Sequence, residues 1–173
     1  MDVLSEVLGA LRLKGTLYFS TDFRPPWGLR VPAYRRVARF HLVVRGGLWV
    51  RVEGQGEPIW LEAGDLILIA NGAEHVLADT RDTPCRTVDQ VVRDAGFTGR
   101  GALTIAGGDD GAPTRLVCGH FEFDEEFRHP FFDGLPPAIV IRWDDYTRGS
   151  PLENAFQFVV RRSRRGGLAT RPW

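Results

Sequence analysis

The sequence predicts a mainly β fold, an antiparallel β-barrel with a short N-terminal helix and a C-terminal helix. Three observations lead there. Between Val37 and Ala78, short runs of β-branched and aromatic residues follow one another at close spacing. The turns between them, Gly46-Gly47 and Gly54-Gln55-Gly56, are short enough to close antiparallel hairpins. Strong helical periodicity is confined to the two ends of the chain. Strands this short and this numerous form a sandwich or a barrel.

At the N-terminus, Asp2 is placed to cap a helix whose apolar residues Leu4, Val7, Leu8 and Leu11 recur at helical spacing, with Gly15 ending it. Thr16-Leu17-Tyr18-Phe19 is rich in strand formers, and Arg24-Pro25-Pro26-Trp27-Gly28 reads as a turn. Strands are expected over Val37–Arg45, Leu48–Glu53, Pro58–Glu62, Leu66–Ile69 and Glu74–Ala78. The stretch from Asp79 to Pro113 is polar and glycine-rich, and predicts a long, partly mobile excursion. The alternation in Thr114–Phe123 restores the sheet, Asp124 opens a helical turn reaching Phe132, and Ala138–Ile141 is an apolar strand. Ser150, Pro151 and Glu153 form a capping box with proline at the first helical position, and Leu152, Ala155, Phe156 and Val159 make the apolar stripe of a final helix. The expected organisation is one domain over residues 1–149, followed by a helix and basic tail over residues 150–173.

Composition narrows the function classes. The chain has 173 residues, 43% hydrophobic and 25% charged, enough for one domain with its own core. Its 22 basic and 22 acidic residues cancel, so no overall field draws the domain onto nucleic acid or an anionic membrane. The basic run Arg161–Arg165 complements the C-terminal dipole of the final helix and, without a recognition helix, does not predict specific DNA binding. No apolar run approaches the roughly 20 residues of a membrane span, and the acidic start is unlike a secretory leader, so the expected location is the cytoplasm. Two cysteines, Cys85 and Cys118, make no disulfide framework.

The stretch from Gly64 to His75 resembles the second cupin motif, a glycine, five residues, a proline, one residue, a glycine, two residues and a histidine, with Ala70 in the proline position. Its spacing suits a Gly64-Asp65 turn into a buried strand, a tight loop at Gly72, and His75 starting the returning strand toward the interior. The metal-binding first motif is not matched: Arg39 stands where its glutamate belongs, and the upstream histidine pair falls among Pro32, Ala33, Tyr34 and Arg35. The words Pro26-Trp27-Gly28-Leu29, Phe40-His41-Leu42-Val43, Leu116–Phe121 and Leu135-Pro136-Pro137 are similar to the cupin sensor domain of AraC-type regulators. That resemblance covers about Leu4 to Trp143. It implies a cupin barrel of the jelly-roll, double-stranded β-helix type that binds a small-molecule effector or a metal ion. It also implies a homodimer through the following helix, and DNA contact only through a C-terminal domain that begins where this chain stops. An enzyme is not expected on this reading; the alternative is a small metal-dependent cupin enzyme with an atypical ligand set.

Strand alternation puts His41 on one face with Arg39 and Val43, inward like His75, while Cys118 and His120 share a face on a later strand. Imidazole and thiolate donors facing one cavity suit zinc, so His41, His75, Cys118 and His120 are candidate metal ligands. The same residues also read as hydrogen-bonded core histidines beside a small buried cysteine. Catalysis by Cys118 would need a neighbouring base, and no oxyanion hole is evident. Trp27, Phe40, Trp49 and Trp60 are candidate pocket-lining residues, with ordinary packing as the competing role.

Overall fold

In the computed structural model, residues 14–34, 37–98, 102–105, 111–122, 135–145, 154 and 157 are described. Their strands in chain order are β1 (Lys14–Phe23), β2 (Gly28–Val31), β3 (Val37–Arg45), β4 (Gly47–Val52), β5 (Ile59–Glu62), β6 (Leu66–Ile69), β7 (His75–Ala78), β8 (Arg86–Thr87), β9 (Ala102–Ile105), β10 (Arg115–Glu122) and β11 (Ile139–Ile141). Helix α1 (Val88–Asp94) lies between β8 and β9, and a short 3₁₀ turn covers Trp143–Asp145. The expected N-terminal helix and the helical turn from Asp124 to Phe132 lie outside the described residues. So does the final helix from Ser150, apart from Asn154 and Gln157, which are helical.

The strands form two sheets, one ordered β11-β6-β3-β10-β1-β9 and the other β5-β4-β7-β2-β8. All pairings are antiparallel except β1 with β9 and β2 with β8. Among the described residues the expected β-barrel takes the form of two facing sheets that do not hydrogen-bond into one closed ring. The core between them follows the predicted alternation. Val43, Ile67, Ile69, Leu103 and Leu116 point in from the first sheet, and Leu29, Val31, Leu48, Val50, Val52, Leu61 and Leu77 from the second.

The expected excursion between Asp79 and Pro113 is more ordered than its composition suggests. Thr87 caps α1 in a full capping box with Gln90, and Val91 enters the core beside Val88, Val92 and Phe97. A seven-residue helix with one apolar stripe leaves most of its surface in water, so its sequence reads as polar. The Arg24–Gly28 turn ends in a short strand, β2, which pairs with β7 in register Val31 to His75.

Two motif positions depend on backbone that only glycine adopts readily. Gly72 has φ of 66°, and a Cβ there would lie 2.0 Å from the Tyr34 carbonyl oxygen. Gly64 has φ of 103° and packs its bare Cα against Trp143. Beside it, the buried Asp65 carboxylate accepts from Glu62 N at 3.1 Å, Trp143 N at 3.0 Å and Arg142 Nη1 at 2.7 Å. That fixes the segment after β11 to the β5–β6 turn. Sequence reading places Asp65 in the motif but gives it no such role, because Arg142 and Trp143 lie nearly eighty residues away.

Candidate functional site

A chain of three buried polar side chains crosses the core and joins the two sheets. Cys118 on β10 lies in register with His41 on the neighbouring β3, and His41 Nδ1 sits 3.0 Å from Cys118 Sγ. From there the His41 ring reaches over to the opposite sheet, where His41 Nε2 lies 2.9 Å from His75 Nε2. His75 Nδ1 is 2.9 Å from the Ala73 carbonyl oxygen. Val31 and Val52 flank His75 in register on either side, so the imidazole stands in an apolar sheet.

The direction of every bond is set by its fixed end. A carbonyl oxygen only accepts, so His75 Nδ1 carries the proton and its Nε2 offers a lone pair. His41 Nε2 therefore donates to His75 Nε2, which leaves His41 Nδ1 as the acceptor of the Cys118 S–H. All three groups are neutral in this arrangement, and their acidities agree. Burial holds His41 well below the ordinary histidine value of 6.5, and the neighbouring His75, whenever protonated, and the Arg39 charge push the same way. Burial takes His75 down to about 4 against its bond to Ala73, and pushes the Cys118 thiol up to about 12.

Of the four candidate metal ligands, three come together here, but not around one point. Only the two Nε2 atoms face each other, and Cys118 lies against the opposite nitrogen of the His41 ring. His120 points inward too, resolving its parity, yet its Nε2 donates to Glu122 Oε1 at 2.8 Å. Among the described residues no group of three or more His, Cys, Asp or Glu side chains is set to hold a metal ion. Arg39 adds positive potential at His41, His75 and Cys118, which disfavours a dication as it disfavours a proton. Zinc takes three or four converging donors, and the residues present do not fit it. A thiol held protonated by burial is also a poor nucleophile.

The four aromatic candidates separate by face. Trp27 is buried against Phe23, with ring centroids 4.9 Å apart, and its Nε1 has no hydrogen-bond partner among the described residues. Phe40 alternates with the inward His41 and meets Phe121 on the outer face of the first sheet. Trp49 and Trp60 are cross-strand partners on the outer face of the second sheet, where Trp60 is 40% exposed and Arg81 stacks 4.0 Å over Trp49. Phe40, Trp49 and Trp60 thus do not line the interior. They were assigned by residue type alone, whereas the parity that seats Leu48 and Leu61 inward turns Trp49 and Trp60 out.

A cupin family model matches residues 2–171. An AraC-like transcription regulator of Streptomyces antibioticus is 27% identical over 161 residues, covering 92% of this chain and 49% of its own. Another, of Streptomyces lividans, is 31% identical over 144 residues, covering 83% of this chain and 45% of its own. The chain spans about half the length of these curated relatives. Among solved structures, YhaK of Escherichia coli aligns with a TM-score of 0.41 at 10% identity, covering 78% of this chain and 52% of its own. A cupin protein of Bacteroides fragilis aligns at 0.33 with 13% identity, covering 71% and 73%.

Proposed function

The chain belongs to the cupin family, and on that premise we propose that it is the effector-sensing half of an AraC-type transcription regulator, working in the cytoplasm as a homodimer. The observation that carries this reading is the pattern of coverage: two AraC-like regulators each match nearly all of this chain with about half of themselves. The half they leave over is where a DNA-binding domain would stand, so DNA contact belongs to that part and not to the two sheets. On this reading the chain divides into a sensor, residues 1–149, and a linking and dimerising segment, residues 150–173.

The inner site supports sensing over catalysis. Cys118, His41 and His75 form a neutral relay with its hydrogen bonds satisfied in sequence, and Arg39 faces it where metal-dependent cupins place an anionic ligand. Such a relay tells the two sheets where they are relative to each other, because a buried polar group without its partner costs about 1–3 kcal/mol. A ligand that shifts one sheet against the other must break or keep those bonds, giving the fold two distinguishable states.

Mobility-shift assays with the product of the complete reading frame, beside residues 1–173 alone, test the proposal. The longer product should bind DNA upstream of its own or a neighbouring gene, and the isolated chain should not. A reading frame that encodes no DNA-binding segment, or specific binding by the isolated chain, would overturn it.

A further inference from the structure

A cleft of about 430 Å³ opens on the outer face of the second sheet, directly outside the buried relay, with His75 at its back. Its floor is Val76 on β7, and the register sets Arg51 of β4 and Arg30 of β2 on either side of that residue. Adjacent strands lie about 4.8 Å apart, so the two arginine backbones stand roughly 10 Å from each other with their side chains rising from the same face. Glu53 and Glu74 stand just past the adjoining ends of β4 and β7, joined by a Glu53 N to Glu74 O bond of 2.9 Å, about 7 Å from that row at the strand rise and next to the Gly54–Gly56 turn. The cleft therefore carries a row of guanidinium beside a row of carboxylate, with Arg30 and Glu74 in contact between them.

These charges are only partly spent on one another. Arg30 pairs with Glu74 at 3.5 Å, a long contact between side chains that are both about half exposed. Among the described residues Arg51 and Glu53 make no ion pair. Two like charges flanking one apolar residue repel each other and are stabilised by an anion between them, while the glutamates opposite call for a cation. The volume is that of a small-molecule site.

We infer that this cleft binds a small zwitterion, an ω-amino carboxylate or similar molecule, with its carboxylate on Arg30 and Arg51 and its ammonium on Glu53 and Glu74. The inference gives the effector of the regulatory reading a chemical class and a place outside the sandwich. It rests on that reading only for naming the ligand an effector, since the cleft itself is geometry.

Calorimetric titration of the chain with γ-aminobutyrate, acetate and methylammonium tests it without DNA. γ-Aminobutyrate should bind at least about tenfold more tightly than either half-molecule, as two charge-assisted contacts act together. Arg51→Gln and Glu53→Gln, both at surface positions outside the core, should each weaken it by about tenfold. The backbone amide resonances of His75 and Val76 should shift on binding, because that stretch of β7 forms the cleft floor. Equal binding of acetate, unchanged affinity in both variants, or no binding of γ-aminobutyrate would overturn the site. The regulatory reading would survive any of these, since it stands or falls on DNA binding by the longer product.

Discussion

Acidification should weaken the fold through His75 more than through any exposed group, and the size of the effect follows from its burial. The native imidazole titrates at about 4 against an ordinary 6.5, so the unfolded chain takes up a proton first as the pH falls. Stability is complete above about pH 6.5, declines between about 6.5 and 4, and loses nothing further to this group below about 4. For one site with those two values, the loss between about pH 7.5 and about pH 4.5 is about 2–3 kcal/mol. His41, also depressed, adds to the loss in the same direction. Urea unfolding at the two pH values, for the parent and for His75→Gln, isolates the term, because the surface carboxylates titrate alike in both proteins. The parent should lose about 2–3 kcal/mol more than the variant. Equal losses would mean that His75 is neither buried nor neutral in the native state, and the relay would fall with it.

The remaining predictions concern single contacts. Cys118→Ala should cost about 2 kcal/mol by leaving His41 Nδ1 without its donor, and Cys118→Ser, which keeps an O–H there, should cost less; chemical denaturation compares the two. Gly72→Ala should cost more than about 3 kcal/mol, since it adds left-handed strain to a Cβ pressed on the Tyr34 carbonyl, and a thermal melt will show it directly. Asp65→Asn should cost about 2–3 kcal/mol, as an amide cannot accept from both Arg142 and two backbone N–H groups; hydrogen exchange at Trp143 should rise together with that loss.

Much of this fold was legible because parity and turns are local. The runs from Val37 to Arg45 and from Leu66 to Ile69 appear as strands over the expected residues, and the motif spacing located the turns at Gly64 and Gly72 and the inward His75. Alternation also placed Arg39, His41 and Val43 on one face. It could not say how the rings meet. Three donors pointing into one space suggest a metal, but whether they converge depends on the offset between the sheets, which no local pattern encodes. Size and apolarity made Trp49 and Trp60 candidate lining residues, and the parity of Leu48 and Leu61 turns both to the outer face of their sheet and away from the core. Helix α1 escaped notice because a capping box before a short amphipathic stripe carries little weight within a polar stretch.

The central claim is that Cys118, His41 and His75 form a neutral, directed chain across the core rather than a metal centre. Long-range proton–nitrogen correlation of the histidine side chains at neutral pH reads it directly. The account predicts neutral His75 protonated at Nδ1 and neutral His41 protonated at Nε2, in protein that carries no stoichiometric metal. Both rings protonated at Nδ1, with metal-shifted Nε2 resonances and about one zinc per chain, would contradict it.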